Sequence, residues 1–269
     1  MNPLSKIAFF LEPNPLSRAP GSNRLAYAFS RYFRYRRSRF GFSALLKWFW
    51  KATQYEYQLN EDPQLNILTR VADFGDQLAV EESFLTKIYD LEKAPGDIDL
   101  VVDLGAHIGC FTLLSNRRFA GVQKVCVEPD RQNYQLLIQN LDRNQVKAQT
   151  HNVAVSDFEG QADMVGDVGI GKRLEVDDAG SSTEVRCLSQ LVDFSGTKSL
   201  LLKCDTEGSE FKILDEVMDH LPQKVFMYIE VHEGESSVYR LRHILGPHGF
   251  EVEETHGKGL ARDCIAFRG

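Results

Sequence analysis

Cysteine is scarce and unpaired in this chain. Its five cysteines, Cys110, Cys126, Cys187, Cys204 and Cys264, are odd in number, scattered and nowhere spaced C-x-x-C. That pattern argues against both a disulfide framework and a zinc site, and the thiols are expected to be reduced. No apolar run approaches the roughly 20 residues that span a bilayer. The N-terminus lacks the unbroken apolar core of a secretory signal. A cytoplasmic location is therefore the expectation. Internal repeats and low-complexity tracts are missing as well. What is present is bulk: 269 residues, 43% hydrophobic, enough to bury a full core.

Acid is nearly absent from one end. Residues 1–55 hold ten Lys or Arg against the single acid Glu12, a balance of +9 in a chain whose net charge is −7, so the rest carries −16. Two regions are implied: a basic N-terminal extension over 1–75 and a main domain over 76–269. The stretch "NRLAYAFSRYFRYRRSRFGFSALLKWFWK" places Leu25, Phe29, Tyr32, Phe33 and Arg36 at helical intervals. A helical cap or lid packing its aromatics on the main domain is expected, because such stripes are usually buried. Contact with a polysaccharide or, peripherally, with the inner face of a membrane is the alternative, and nucleic acid is disfavoured.

From about residue 80 the patterns alternate as in βαβ units. "EESFLTKIYDLEK" predicts a helix with Phe84, Leu85, Ile88 and Leu91 on one face, stopping at Pro95-Gly96. "DIDLVVDLG", "KVCVEPD", "AQTHNVAVSD", "SLLLKCD" and "KVFMYIEVH" read as five core strands. Helices follow the first, second, fourth and fifth of them. Residues 166–182 read as a Gly- and Asp-rich surface loop before a short strand "TEVRC". "GFEVEE" and "DCIAFRG" read as a closing hairpin.

The first strand runs into "LVVDLGAHIGCF", spaced D-x-G-x-x-x-G from Asp103 through Gly105 to Gly109. A dinucleotide fingerprint needs glycine where Asp103 stands, and an anion there repels a phosphate. A ligand with a cationic head and no phosphate suits the turn, and S-adenosylmethionine is such a ligand. Glu128 ends the second strand, where a carboxylate meets ribose hydroxyls in nucleotide-binding α/β sheets. Asp157 follows the third strand, where it can meet the adenine amine or simply make a turn.

These blocks, "VVDLGAHIG", "VEPD", "NVAVSD", "LLKCDTEGSEFKIL" and "IEVH", in this order and spacing, resemble the FkbM-type S-adenosylmethionine-dependent methyltransferases from about Glu82 to His232. The resemblance implies a class I methyltransferase fold: an α/β, Rossmann-like sheet of seven mostly parallel strands, the last antiparallel, with helices on both faces. It also implies O-methylation of a hydroxyl, often on a sugar or polyketide, the acceptor being a small molecule or glycan. Donor contacts then fall on Asp103, Gly105, Ala106, His107, Gly109, Glu128, Pro129, Ser156, Asp157 and Asp205. His107 departs from the family, which more often has asparagine there.

Methyl transfer from a sulfonium needs alignment and removal of a proton from the acceptor. Candidates for the base are Lys203, Asp205, Glu207, Glu230 and His232, at the carboxyl ends of strands four and five. Alternatively Asp205, Glu230 and His232 hold magnesium or manganese. An amine methyltransferase of the familiar kind would show Pro-Pro after strand four, where this chain reads "CDTEG". A non-catalytic module that only binds the donor is the rival reading.

Overall fold

In the computed structural model the described residues are 54–58, 65–70, 73–84, 86, 88–165, 173–175, 182–232, 234–258 and 261–269. In chain order they form β1 (Gln54–Gln58), β2 (Asn66–Arg70), α1 (Phe74–Phe84), β3 (Leu100–Leu104), α2 (Cys110–Arg118), β4 (Gln123–Val127), α3 (Arg131–Arg143) and β5 (Gln149–His151). Then come β6 (Ala154–Val155), β7 (Gly160–Val165), β8 (Arg173–Glu175), β9 (Ser182–Arg186), α4 (Leu188–Leu191), β10 (Ser199–Cys204) and α5 (Glu210–Val217). The last are β11 (Lys224–Val231), α6 (Glu235–Leu245), β12 (Glu251–Lys258) and β13 (Ala261–Arg268).

Seven strands make the main sheet, in the order β12-β13-β11-β10-β3-β4-β5. From β11 to β5 all neighbours are parallel, whereas β13 runs antiparallel to both β11 and β12. This is the expected seven-stranded sheet with its last strand reversed. β3 and β10 are buried at every position, as parallel strands covered on both faces must be. On one face Val102, Leu202 and Met227 pack with Phe211 and Leu214 of α5 and Leu241 of α6. On the other, Val101, Leu201 and Tyr228 meet Phe111 of α2. α3 starts where the Asp130 side chain accepts from Gln132 N and Asn133 N, a carboxylate N-cap.

Three expectations are corrected. The helix expected over 81–93 is α1, which ends at Phe84; Leu91–Lys93 is a short 3-10 turn. Thr86 closes the helix, its N–H donating to Glu81 O at 3.0 Å and its hydroxyl to Glu82 O at 3.3 Å. Leu91 then turns into the core beside Ile98 and Phe111, while Leu85 lies outside the described residues. The third strand is broken: β5 joins the main sheet, but β6 pairs with β9 in a second sheet, β6-β9-β7-β8. Asn152 makes the break by donating to Glu128 O and Pro129 O, at 2.8 and 3.1 Å. Within the expected loop, residues 173–175 are strand β8, antiparallel to β7.

The expected helical stretch over 24–51, with Leu25, Phe29, Tyr32, Phe33 and Arg36, lies outside the described residues. β1 and β2, from the same N-terminal 75, form an antiparallel pair. Ile67 and Leu68 of β2 are buried with Leu136 and Leu137 of α3. Among the described residues no helix is long and apolar enough to cross a membrane.

Two asparagines, Asn140 on α3 and Asn144 just past its end, hold β2 as a neighbouring strand would. Asn140 Oδ1 accepts from Leu68 N at 2.7 Å, and its Nδ2 donates to Leu68 O at 3.0 Å and Ile108 O at 2.8 Å. Asn144 does the same for Asn66 N and O, at 2.9 and 2.8 Å. Asn140 is fully buried, so Asn140→Ala strands backbone groups away from water, at about 1–3 kcal/mol for each one left unpaired. Thermal denaturation is expected to show the midpoint falling by about 2–4 °C per kcal/mol. An unchanged midpoint would mean that β2 is held by other contacts.

Candidate active site

A cleft of about 350 Å³ opens at the carboxyl ends of β3, β4, β10 and β11, where open α/β sheets bind ligands. The turn after β3 forms its floor. Gly105 sits at φ 69°, and a Cβ there would meet Asp205 O at 1.8 Å, so only glycine fits. Gly105 N and Ala106 N both donate to Val127 O at 3.0 Å. His107 takes the left-handed conformation, φ 51°, and its N–H reaches Glu128 Oε2 at 2.8 Å. Glu128 is buried at the cleft wall and accepts from Asp130 N at 2.8 Å through Oε1. Burial pushes its carboxyl up; His107 and the amide hydrogen bonds hold it back.

Asp103 does not line the cleft. Its side chain is 1% exposed, and Oδ2 accepts the Thr112 hydroxyl at 2.6 Å. Oδ1 lies 3.6 Å from the ammonium of Lys203. The Lys203 Nζ donates to Gly105 O at 2.8 Å and Leu104 O at 3.3 Å, and lies 3.5 Å from Asp205 Oδ2. Burial disfavours its charge, but Asp205, Tyr89 and Asp103 outweigh that, and its pKa stands well above the ordinary ammonium value. A group held protonated cannot accept a proton, so this geometry makes Lys203 a tie and not a base.

The loop after β10 brings the other candidates together. Glu210, buried at the start of α5, accepts from Thr206 N and Gly208 N, at 3.1 and 2.9 Å, and lies 3.3 Å from His232 Nδ1. His232 Nε2 lies 3.2 Å from Glu207, 3.4 Å from Glu230 and 4.0 Å from Asp205. Burial opposes its charge, yet Glu210 and Glu230 push its pKa up to about 11, so it is an imidazolium. Asp205 is pushed up to about 8 by burial and by Glu230 and Glu207, with Lys203 and His232 opposing. Asp205, Glu207 and Glu230 line the cleft; His232 stands behind them.

Ligand atoms of Asp205, Glu207 and His232 lie within 4.8 Å of one another, so Glu207 takes the place that spacing gave to Glu230 in a metal-binding trio. Pro129 lines the cleft, as do Val153, Ala154 and Val155. Ser156 is buried and Asp157 exposed, joined at 3.1 Å, and neither lines the cleft. Gly109, φ 91°, seats α2 against Leu137 and also stays off the wall.

Among the polar residues that escaped the sequence reading are Arg70, Asp73, Tyr89 and Asp263. Arg70, the last residue of β2, and Asp73, just ahead of α1, line the cleft; their signal in the sequence is the cluster "RVADFGD". Tyr89 lines it too, and burial pushes its hydroxyl well above its ordinary value against the pull of Lys203. Asp263 stands opposite Glu230 across β13 and β11, pushed up to about 6 by burial and by Glu230.

Residues 103–252, more than half of the chain, match the methyltransferase FkbM domain. The chain belongs to the FkbM methyltransferase family. Against the 31-O-demethyl-FK506 methyltransferase FkbM of Streptomyces tacrolimicus, this family member is 27% identical over 215 residues, 65% of this chain and 82% of that one. Among solved structures, a precorrin-6y C5,15-methyltransferase from Geobacter metallireducens GS-15 covers 64% of this chain and 81% of its own, at 13% identity and TM-score 0.42. M. jannaschii TYW2 in complex with AdoMet covers 80% and 85%, at 13% identity and TM-score 0.44. Neither likeness bears on the reaction of this FkbM-family chain.

Removing one partner of a buried ion pair leaves the other charge uncompensated, at about 3–5 kcal/mol. Lys203→Met is therefore expected to lower the urea midpoint sharply, and Asp103→Asn on top of it to recover part of the loss. Single and double variants that unfold like the wild type would show that the ammonium ties nothing together.

Proposed function

We propose that this chain is an S-adenosylmethionine-dependent O-methyltransferase acting on a hydroxyl of a sugar, a polysaccharide or a related natural product. One observation carries the reading: a buried carboxylate, Glu128, and a pair of carboxylates, Asp205 and Glu230, line one cleft with the Gly105 turn beside them. The residues fit that donor. A carboxylate offers about four lone-pair sites, and Glu128 has His107 N, Asp130 N and, at 3.4 Å, Asn133 Nδ2 on its two oxygens. That leaves room for a ribose hydroxyl. Acids on the cleft wall suit a cationic head and repel a phosphate. Support for oxygen as the acceptor atom comes from the Streptomyces relative, a 31-O-demethyl-FK506 methyltransferase.

When bound, the donor supplies an electrophilic methyl on a sulfonium. The chain's own task is to hold the acceptor hydroxyl in line and take its proton. Asp205 is placed for that role, because its raised proton affinity brings it near the working pH. Glu230 adjoins it, and His232 keeps the local charge in check. Magnesium or manganese at Asp205, Glu230 and His232 is disfavoured, since a cation would have to displace the proton of an imidazolium paired with three acids. Dialysis against a chelator is expected to leave turnover intact.

The test is transfer of labelled methyl to hydroxylated glycans. Asp205→Ala and Glu230→Ala are each expected to lower kcat by at least about 10²-fold with little change in donor affinity. Wild-type turnover in both variants would show that the base lies elsewhere. Donor binding without transfer to any hydroxyl would favour the non-catalytic reading.

The pH profile follows from the same group. Asp205 accepts a proton only when ionised, so kcat should be low below its pKa, rise through about 8 and level off above it. The rise belongs to the coupled cluster. Glu230→Gln removes a charge that raises this pKa, so its residual activity should rise at lower pH. A profile flat across that range would contradict the assignment.

A further inference from the structure

Glu128 belongs to a closed ring of polar contacts among five residues, two of which, Arg70 and Asp76, lie ahead of the family domain. Arg70 N and Nε donate to Asp76 Oδ2 at 2.7 and 2.9 Å, and Nη2 to Asp76 Oδ1 at 2.5 Å. The same Nη2 donates to Asn133 Oδ1 at 2.6 Å, and Asn133 Nδ2 turns toward Glu128 Oε1 at 3.4 Å. On the other side Asp76 Oδ1 lies 3.5 Å from His107 Nε2. His107 N donates to Glu128 Oε2, and the ring is complete.

Asp76 is fully buried and Glu128 nearly so, while the Arg70 side chain is 12% exposed. Burial works against the Arg70 charge, and the Asp76 carboxylate more than restores it, raising its pKa above the ordinary value. A guanidinium presents a rigid fork, so the hydrogen bonds of Nε and Nη2 to Asp76 fix where the second N–H of Nη2 points. Here it points at Asn133, with Asp73 Oδ2 3.6 Å from the same nitrogen. Two routes from one buried carboxylate thus reach the two oxygens of Glu128. The Asp76 contact also supports His107 in the left-handed conformation.

We infer that Arg70 and Asp76 are positioning residues that set Glu128 for the ribose of the donor. This rests on the reading of Glu128 as the ribose carboxylate, and extends the donor site to a segment outside residues 103–252. Neither residue needs to touch the donor. Their effect runs through Asn133 and His107 to one carboxylate, so it should be confined to the ribose hydroxyls.

The experiment is a ligand and mutant cycle on the full chain, by calorimetric titration with S-adenosylhomocysteine and with its 2′,3′-dideoxy analogue. Arg70→Met is expected to weaken S-adenosylhomocysteine by at least about tenfold and the dideoxy analogue by less than about threefold. Arg70→Lys keeps the charge but loses the fork, and is expected to behave as Arg70→Met does; it also serves if the methionine variant does not fold. Equal losses for both ligands would make the ring a merely structural brace, and no loss for either would make it irrelevant; both outcomes overturn the inference. Failure of the wild type to bind S-adenosylhomocysteine would instead sink the donor reading, and this inference with it.

Discussion

The buried ammonium of Lys203 joins the two sides of the cleft. Carrying a charge into the interior is unfavourable by several kcal/mol unless oxygen ligands surround it. Four do: the carbonyls of Leu104 and Gly105 and the side chains of Asp103 and Asp205. The arrangement rests on register, because Lys203 lies directly beside Asp103 in the parallel pairing of β10 with β3. Asp205 follows two residues on, where its backbone leaves no room for a side chain on Gly105. The turn on the floor of the cleft and the end of β10 are therefore tied together.

Beyond that tie the cleft accumulates negative charge. Glu230 and Asp263 face each other across antiparallel strands, a placement that is destabilising for like charges. The imidazolium of His232, with Glu210 behind it, offsets part of the repulsion. A local conflict of this kind marks sites where function outweighs stability. Burial first, and then the charges of Glu230 and Glu207, raise the proton affinity of Asp205.

Much of this was readable from residues alone, for reasons that differ by element. Four of the five core strands are legible as apolar runs because parallel strands are buried on both faces; the third, β5, is short and polar. Glu128 could be found from its place at the end of the second strand. Asp103 stands out in the sequence as a carboxylate where phosphate sites need glycine, but its partner is a lysine 100 residues away, and only register brings Lys203 beside it. The break after His151 depends on where one asparagine side chain turns, and α1 ends where Thr86 competes for its carbonyls; neither leaves a periodic trace. The contribution of Arg70 and Asp76 was hidden because β2 is held by asparagines on and just past α3, far along the chain.

The measurement that bears hardest on this picture is calorimetric titration of the full chain with S-adenosylmethionine, with Glu128→Ala alongside. The expected result is binding at one site per chain in the wild type. In the variant affinity should fall at least about tenfold, or about 1.4 kcal/mol, for loss of a charge-assisted contact. No binding by the wild type, or equal affinity in the two proteins, would contradict the assignment of the cleft as the donor site.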